Sequence, residues 1–180
     1  AMVDGSLSLM SFFYSLKEMG HWEDSRESNL LDGFAHFYDT YECSDNKYIA
    51  IGSIEPQFYS ELLEKLEIDD EKFKDQHNKD LWPELKEKMA AKIKLKSRSE
   101  WVDIFSDSDA CVSPVLTMEE AQEHPHNTER EAFTSIDGFN QPNASPRYSK
   151  TKPEIKHNAR KMGADLEDIC NEFNLSKESF

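Results

Sequence analysis

Two stretches of the chain alternate between apolar and polar positions with the period of β-strands. His36 to Cys43 carries three aromatic residues, and Lys47 to Ile54 carries tyrosine and three isoleucines. Aromatic and β-branched residues at this spacing favour strands. Between them lies Ser44-Asp45-Asn46, whose side chains bond their own backbone and tolerate left-handed turns. The pattern therefore predicts a β-hairpin.

The second predicted strand ends in a corner at Glu55-Pro56. Proline suits the first turn of a helix and disfavours helical geometry in the residue before it. Apolar positions then follow at helical spacing and predict a helix over 56–66: Phe58, Leu62, Leu63 and Leu66. A carboxylate at such a corner is stabilised by the helix dipole and by free N–H groups. Position alone therefore indicates an N-terminal cap for Glu55, and leaves a catalytic carboxylate as the other interpretation.

Helical periodicity recurs on both sides of the hairpin. Near the N-terminus it predicts one helix through Met19, capped by Asp4 or Ser6, with Gly20 just past its end. Its apolar stripe consists of Leu9, Phe12, Phe13, Leu16 and Met19. A second stripe predicts a helix in the middle of the chain and consists of Leu81, Leu85, Met89 and Ile93.

Two capping boxes mark further helix starts, Ser97 with Glu100 and Thr117 with Glu120. Between them, the short apolar run 110–116 contains Pro114, which predicts an edge strand or an extended segment. Residues 136–156 are rich in Asn, Gln, Ser, Pro and Gly and predict a long connector without regular structure. A last short helix is predicted over 165–173.

Charge and cysteine content exclude several classes of protein. The 180 residues carry a net charge of −15, which argues against binding to nucleic acid or anionic membranes. No apolar run is long enough to span a membrane and no signal peptide opens the chain. The three cysteines are far apart, which indicates free thiols in a reducing compartment. His124 and His126 do not complete a metal site, because no carboxylate or histidine set accompanies them.

The stretch NLLDGFAHFYDTYECSDNKYIAIGSIEPQFY, residues 29–59, resembles the corresponding stretch of the α-methylacyl-CoA racemases, a branch of the class III CoA transferases. The resemblance continues in the same order through Trp82-Pro83-Glu84, the run DACVSPVL at 109–116, and His126-Asn127 with Arg130. It covers nearly the whole chain, and the combination of IEPQFY with DACVSPVL is specific.

The resemblance implies a C-terminal half with an α+β fold: a small mixed domain with a β-hairpin and packed helices, flanked by a connecting helix and an extended return segment. The implied division is 1–28 for the connecting helix and linker, 29–116 for the small domain and 117–180 for the return towards a large domain. The parent enzyme would be an interlocked homodimer acting in fatty and bile acid metabolism, in peroxisomes or mitochondria. Residues 177–180 do not match a peroxisomal signal of the SKL type.

The implied reaction inverts the C2 stereocentre of 2-methylacyl-CoA thioesters through an enolate. It needs two acid–base groups on opposite faces of that carbon. The family uses a histidine and an aspartate upstream of the region matched here, so the chain alone is expected to be inactive. Glu55 matches the glutamate that positions this histidine, and the matched acyl-pocket positions are Leu31, Gly33, Tyr38 and Ile54. No metal is implied, and CoA enters only as part of the substrate.

The chain departs from the family pattern at two positions of the first strand. Phe34 stands where the family has glycine, and His36 where it has proline. Either change would reshape the acyl pocket, or else mark a diverged copy of the enzyme or an error in the sequence. Because nothing in the sequence pairs with His36, we expect an exposed strand histidine there and not a new base.

Two other functions remain open at this point. The parent could transfer CoA between carboxylates through an aspartyl thioester, since the upstream aspartate also serves that chemistry. Alternatively, the chain could be a non-catalytic dimerisation or binding module, whose apolar N-terminal helix would need a partner. A basic patch for CoA is not evident, because the basic residues of 86–98 are spread around a helical pattern.

Overall fold

A computed structural model describes residues 1–176, so the C-terminal residues compared above with a peroxisomal signal lie outside the described part. The described chain is mixed α and β and separates into two units, residues 1–115 and the residues from 116 onwards. The α+β class predicted from the sequence is confirmed. No helix within 1–176 is both long and apolar enough to cross a bilayer.

The first unit is built on an antiparallel three-stranded sheet. Strands β1 (Tyr38–Glu42) and β2 (Tyr48–Gly52) form the predicted hairpin, with Tyr41 opposite Ile49. Asn46 takes a φ of +60° in the turn. Strand β3 (Val112–Pro114) pairs with the other side of β2 and leaves its proline at the sheet edge, as predicted.

Five helices accompany this sheet: α1 (Met2–Leu9), α2 (Ser11–Glu18), α3 (Pro56–Lys65), α4 (Trp82–Ile93) and α5 (Arg98–Phe105). One face of α4 is buried, including Leu85, Met89 and Ile93, which confirms the predicted stripe. Helix α5 begins at the predicted capping box, in which the Ser97 hydroxyl accepts the Glu100 N–H. These elements enclose one core around Phe37 and Trp82, which are 0% and 2% exposed.

The single N-terminal helix predicted through Met19 is wrong, because it is divided at Met10. The ψ angle of Met10 is −3°, which is too flat to continue an α-helix. Neither Asp4 nor Ser6 caps the first helix, and the Ser6 hydroxyl instead donates to the Met2 carbonyl oxygen one turn earlier. Gly20, with φ of +74°, does terminate α2 as predicted.

The second unit contains α6 (Met118–Glu123), α7 (Pro125–Glu129), β4 (Phe133–Ile136), β5 (Phe139–Pro142) and α8 (Leu166–Phe173). Helix α6 begins at the predicted Thr117 capping box. The connector predicted from residue 136 is wrong at its start, because β4 and β5 form a hairpin. Its turn residues Asp137 and Gly138 have φ of +53° and +81°. An Asp-Gly pair favours such a two-residue turn even among polar strands.

Candidate functional site

Glu55 lies at the corner between β2 and α3, where the sequence places it. Its backbone is extended, with φ of −74° and ψ of 142°, and Pro56 occupies the first turn of the helix. The Glu55 backbone carbonyl oxygen accepts the Tyr59 N–H at 3.0 Å, so Glu55 occupies the N-cap position of α3. Its side chain makes no capping hydrogen bond and is exposed. The carboxylate is therefore available to a group outside the described residues.

Backbone contacts hold this corner against the sheet. The Ser53 N–H donates to the Phe37 carbonyl oxygen at 3.0 Å, and the Ser53 hydroxyl donates to the Ala110 carbonyl oxygen at 2.5 Å. The Gly52 N–H donates to the Cys111 carbonyl oxygen at 3.0 Å. Because these bonds tie the corner to both flanking segments of the sheet, Glu55 projects from a rigid base.

A groove of about 490 Å³ runs along the hairpin, and we call it the hairpin groove. It is lined by Leu31, Asp32, Gly33, Tyr38, Asp39, Thr40, Ala50, Ile51, Gly52, Cys111 and Ser113. The structure thus brings together three of the predicted acyl-pocket residues: Leu31, Gly33 and Tyr38. Ile54 does not line the groove, because it packs against the core. Its assignment to the acyl pocket stays a prediction.

The loop that forms one wall of the hairpin groove is anchored by charge. Lys86 donates from Nζ to the Gly33 carbonyl oxygen at 2.5 Å and pairs with Asp39 Oδ2 at the same distance. Gly33 has a φ of +90°, a backbone conformation that residues other than glycine rarely adopt. Lys86 therefore fixes the glycine turn and neutralises the carboxylate that lines the groove next to it.

Asp32 closes the other end of the same loop. Its carboxylate accepts the N–H groups of Ser28 at 3.1 Å and Asn29 at 2.9 Å, and the Asn29 side chain at 2.8 Å. Burial acts to raise the pKa of Asp32, but these hydrogen bonds outweigh it and lower the pKa. Asp32 is thus a loop anchor that stays ionised, and not a proton acceptor for a substrate.

The two departures from the family pattern both point into the core, away from the groove. Phe34 packs edge to face on Trp82, with ring centroids 5.3 Å apart. The prediction that His36 is an exposed strand residue is wrong, because its side chain is fully buried. Its partner is Tyr59, whose hydroxyl lies 2.7 Å from His36 Nε2. That partner is 23 residues away, so no local pattern could indicate it.

The hydrogen-bond chain determines which nitrogen of His36 carries the proton. The Tyr59 hydroxyl donates to the Phe73 carbonyl oxygen at 3.0 Å, and a carbonyl can only accept. The hydroxyl oxygen must therefore accept from His36 Nε2–H, which leaves Nδ1 unprotonated. Nδ1 has no partner among the described residues. Burial, with a smaller contribution from His77, lowers the pKa of His36 to about 4. His36 is therefore neutral at physiological pH.

Cys111 lies in the hairpin groove but is poorly suited to be a nucleophile. Desolvation, followed by the negative charges of Glu55, Asp109 and Glu61, raises the pKa of its thiol. Thiolate, not thiol, is the reactive form, so this environment suppresses reactivity.

Among the described residues, the hairpin groove has no free acid–base group that is placed to exchange a proton with a ligand. Among residues 1–176, no histidine lines the hairpin groove. Of its two aspartates, Asp32 is hydrogen-bonded to Asn29, and Asp39 is paired with Lys86. In the same range, no group of three or more His, Cys, Asp or Glu side chains is arranged to hold a metal ion. The groove can accept an apolar group, but removal and return of a proton need further acid–base groups.

Comparison with known proteins gives a consistent match. The model of CoA-transferase family III covers residues 1–166. The chain is 40% identical to the alpha-methylacyl-CoA racemase of Mus musculus over 99% of its length, and 40% identical to that of Homo sapiens over 98%. It is 31% identical over 66% of its length to a CaiB/baiF CoA-transferase family protein of Caenorhabditis elegans.

Solved structures agree on the fold. The crystal structure of Rv3272 from Mycobacterium tuberculosis superposes on 87% of the chain with a TM-score of 0.63, at 15% identity. A point mutant of the same protein superposes on 93% with a TM-score of 0.65. The chain spans about half the length of the curated relatives it matches, since it covers 47% of each racemase.

Proposed function

The chain belongs to CoA-transferase family III, and we propose that it is the C-terminal part of an enzyme that inverts the C2 stereocentre of 2-methylacyl-CoA thioesters. The observation that carries this proposal is the 40% identity over 99% of the chain to a protein named alpha-methylacyl-CoA racemase. The racemase covers the chain end to end, whereas the CaiB/baiF CoA-transferase family protein covers 66% of it.

The composition of the hairpin groove supports the proposal that this chain is one part of a larger enzyme. Inversion at C2 requires a base on one face of the carbon, an acid on the other, and stabilisation of the enolate oxygen. The hairpin groove supplies neither acid nor base. The histidine and aspartate that the family uses would come from the large domain, upstream of this chain. The chain would then contribute a wall for the acyl group and one supporting carboxylate.

Glu55 is proposed to position the catalytic histidine of a partner subunit in an interlocked homodimer. Its carboxylate is exposed, projects from a rigid corner and makes no capping bond, so it can accept an imidazole N–H. A carboxylate on the far nitrogen of an imidazole fixes the tautomer and stabilises the charged ring. Leu31, Gly33 and Tyr38 are proposed to contact the acyl chain. We propose a peroxisomal or mitochondrial location for the complete enzyme.

The first test measures the length and the activity of the native polypeptide. An antibody against this chain should recognise a protein about twice its length in the source, since the chain covers 47% of the racemases. That protein should incorporate solvent deuterium at C2 of a 2-methylacyl-CoA, and the isolated chain should not. Deuterium incorporation catalysed by the isolated chain would refute the proposal that the acid–base groups lie outside it.

The role of Glu55 is tested in the complete protein by Glu55→Gln. We expect a loss of at least about tenfold in the rate of deuterium exchange, with unchanged thermal unfolding. The matched control is Glu64→Gln, which removes the charge of another exposed glutamate on α3 and should leave the rate unchanged. Equal rates for both variants would reduce Glu55 to a helix cap.

A second candidate is transfer of CoA between carboxylates, which the CaiB/baiF CoA-transferase family relative favours. That chemistry passes through a covalent thioester on an enzyme aspartate. Incubation of the complete protein with acyl-CoA and hydroxylamine would trap such an adduct, and mass spectrometry would locate it. An adduct together with transfer to a second acid would replace the racemase assignment.

A further inference from the structure

Gln76 is a buried polar residue that belongs to no helix or strand. It lies between two short 3₁₀ turns, Glu71–Lys74 and Lys79–Leu81, and is only 7% exposed. A long amide side chain is seldom buried unless its hydrogen bonds are satisfied. Its contacts therefore indicate what it is there to hold.

Both contacts of the Gln76 amide fall on the corner that presents Glu55. Nε2 donates to the Ser53 carbonyl oxygen at 3.1 Å and to the Ile54 carbonyl oxygen at 3.0 Å. These are the last two carbonyls before Glu55, and the Ile54 carbonyl belongs to the peptide group that leads into it. Because two acceptors meet one amide, the NH₂ group and not the oxygen must face them. Gln76 thereby fixes the peptide plane from which Glu55 projects.

The segment that carries Gln76 is itself held at both ends. The backbone carbonyl oxygen of Gln76 accepts the indole N–H of Trp82 at 2.8 Å. Three residues earlier, the Phe73 carbonyl oxygen accepts the Tyr59 hydroxyl. Phe73 and Trp82 are both almost fully buried, so Gln76 acts from a rigid support. This differs from a flexible surface amide, which would have little influence on the backbone of a neighbour.

We propose that Gln76 is a positioning residue for Glu55: its amide group sets the direction in which the carboxylate meets the catalytic histidine. The inference rests on the proposed role of Glu55. It assigns to a residue 21 positions downstream a part of the geometry that the chemistry needs. Glutamine suits the task because one terminal group carries two hydrogens. Glutamate at neutral pH has only acceptors, and methionine has no donor at all.

The first experiment is a double-mutant cycle in the complete protein. Gln76→Met should lower kcat for deuterium exchange about tenfold and shift the pH profile of kcat in the same direction as Glu55→Gln. In the Glu55→Gln background, Gln76→Met should have little further effect, because the group that it positions no longer carries a charge. An equal tenfold loss in both backgrounds would overturn the inference.

Trp101→Phe is the control for loss of a buried hydrogen bond alone. It removes the bond from the Trp101 indole N–H to the Ile93 carbonyl oxygen, away from the corner. This variant should lose stability without a change in the pH profile of kcat. If Gln76→Met behaves in the same way, its role is structural and the inference fails.

Hydrogen exchange on the chain itself separates this inference from the proposed function. The N–H groups of Ser53 and Ile54 are bonded to Phe37 and Gly52. Gln76→Met should speed their exchange at least about tenfold relative to the amides of α5. Unchanged protection at both amides would overturn the inference. If protection falls and Glu55→Gln leaves catalysis intact, the assigned role of Glu55 fails, and the catalytic part of this inference fails with it.

Discussion

Acidification should unfold this protein partly through one buried histidine. His36 is fully buried among Phe37, Tyr59 and Phe73, and its ring donates from Nε2 to the Tyr59 hydroxyl. Its pKa is 6.5 in an ordinary setting and about 4 in the fold. The unfolded chain therefore takes up a proton at a pH where the folded chain does not. The contribution of neutral His36 to the free energy of unfolding is fully present above pH 6.5 and is lost as the pH falls from there towards 4.

The size of the loss follows from the two pKa values. One pKa unit corresponds to about 1.4 kcal/mol. The difference between 6.5 and about 4 therefore gives a full loss of about 3 kcal/mol below the folded pKa. Near pH 4.5 the loss relative to pH 7 is about 2 kcal/mol, since most of the titration of the unfolded chain is then complete. Carboxylates with lowered pKa values, such as Asp32, add their own losses in the same direction at lower pH.

A comparison with His36→Gln isolates the histidine contribution. Glutamine can still donate an N–H to the Tyr59 hydroxyl, but it does not titrate. Urea unfolding followed by circular dichroism at pH 7 and near pH 4.5 gives the free energy of unfolding of both proteins. The unsubstituted chain should lose about 2 kcal/mol more than His36→Gln between the two pH values. Equal losses would refute the reasoning that burial of neutral His36 makes the fold acid-sensitive.

Three further predictions concern the hairpin groove. Gly33→Ala should lower the free energy of unfolding by about 1–2 kcal/mol, because the φ of +90° strains any residue that has a Cβ. Gly5→Ala, in helix α1 with nothing within 4 Å, should be neutral or stabilising in the same urea titration. Lys86→Met should lower the free energy of unfolding by about 1–2 kcal/mol in the same titration, because it leaves the half-buried Asp39 carboxylate without its cation and removes the bond to the Gly33 carbonyl oxygen, and an unchanged free energy would contradict this. Alkylation of Cys111 by iodoacetamide should keep accelerating as the pH passes the ordinary thiol pKa, because desolvation and nearby acidic groups raise its own pKa, and a rate plateau at lower pH would contradict this.

Several parts of the fold follow from local patterns in the sequence. The hairpin, the corner at Glu55, the buried face of α4 and the Ser97 capping box all lie where the sequence predicts them. Each depends on residues within one strand pair, one helix or one turn. Backbone geometry and side-chain spacing suffice for such features.

Three features of the structure differ from what the sequence predicts. The break of the N-terminal helix falls at Met10, a residue that favours helices by itself. The turn and the second strand of the hairpin at 133–142 fall within the predicted connector 136–156, although the pair Asp137-Gly138 is a sequence signal for a hairpin turn. The burial of His36 depends on Tyr59 and Phe73, which belong to later segments of the chain. The resemblance to the racemases predicts a site at Glu55, whereas its position in the sequence alone favours a simple helix cap.

The sequence by itself determined the hairpin and most of the helices around it, the position of Glu55 at the corner before a helix, and the family that the chain resembles. Only the tertiary structure decided that His36 belongs to the core, that Ile54 lies outside the hairpin groove, and that Lys86 and Gln76 hold the loop and the corner. The physical reason is range. Local elements are set by neighbours a few residues apart, whereas these tertiary hydrogen bonds need partners that folding brings from 23 to 53 residues away.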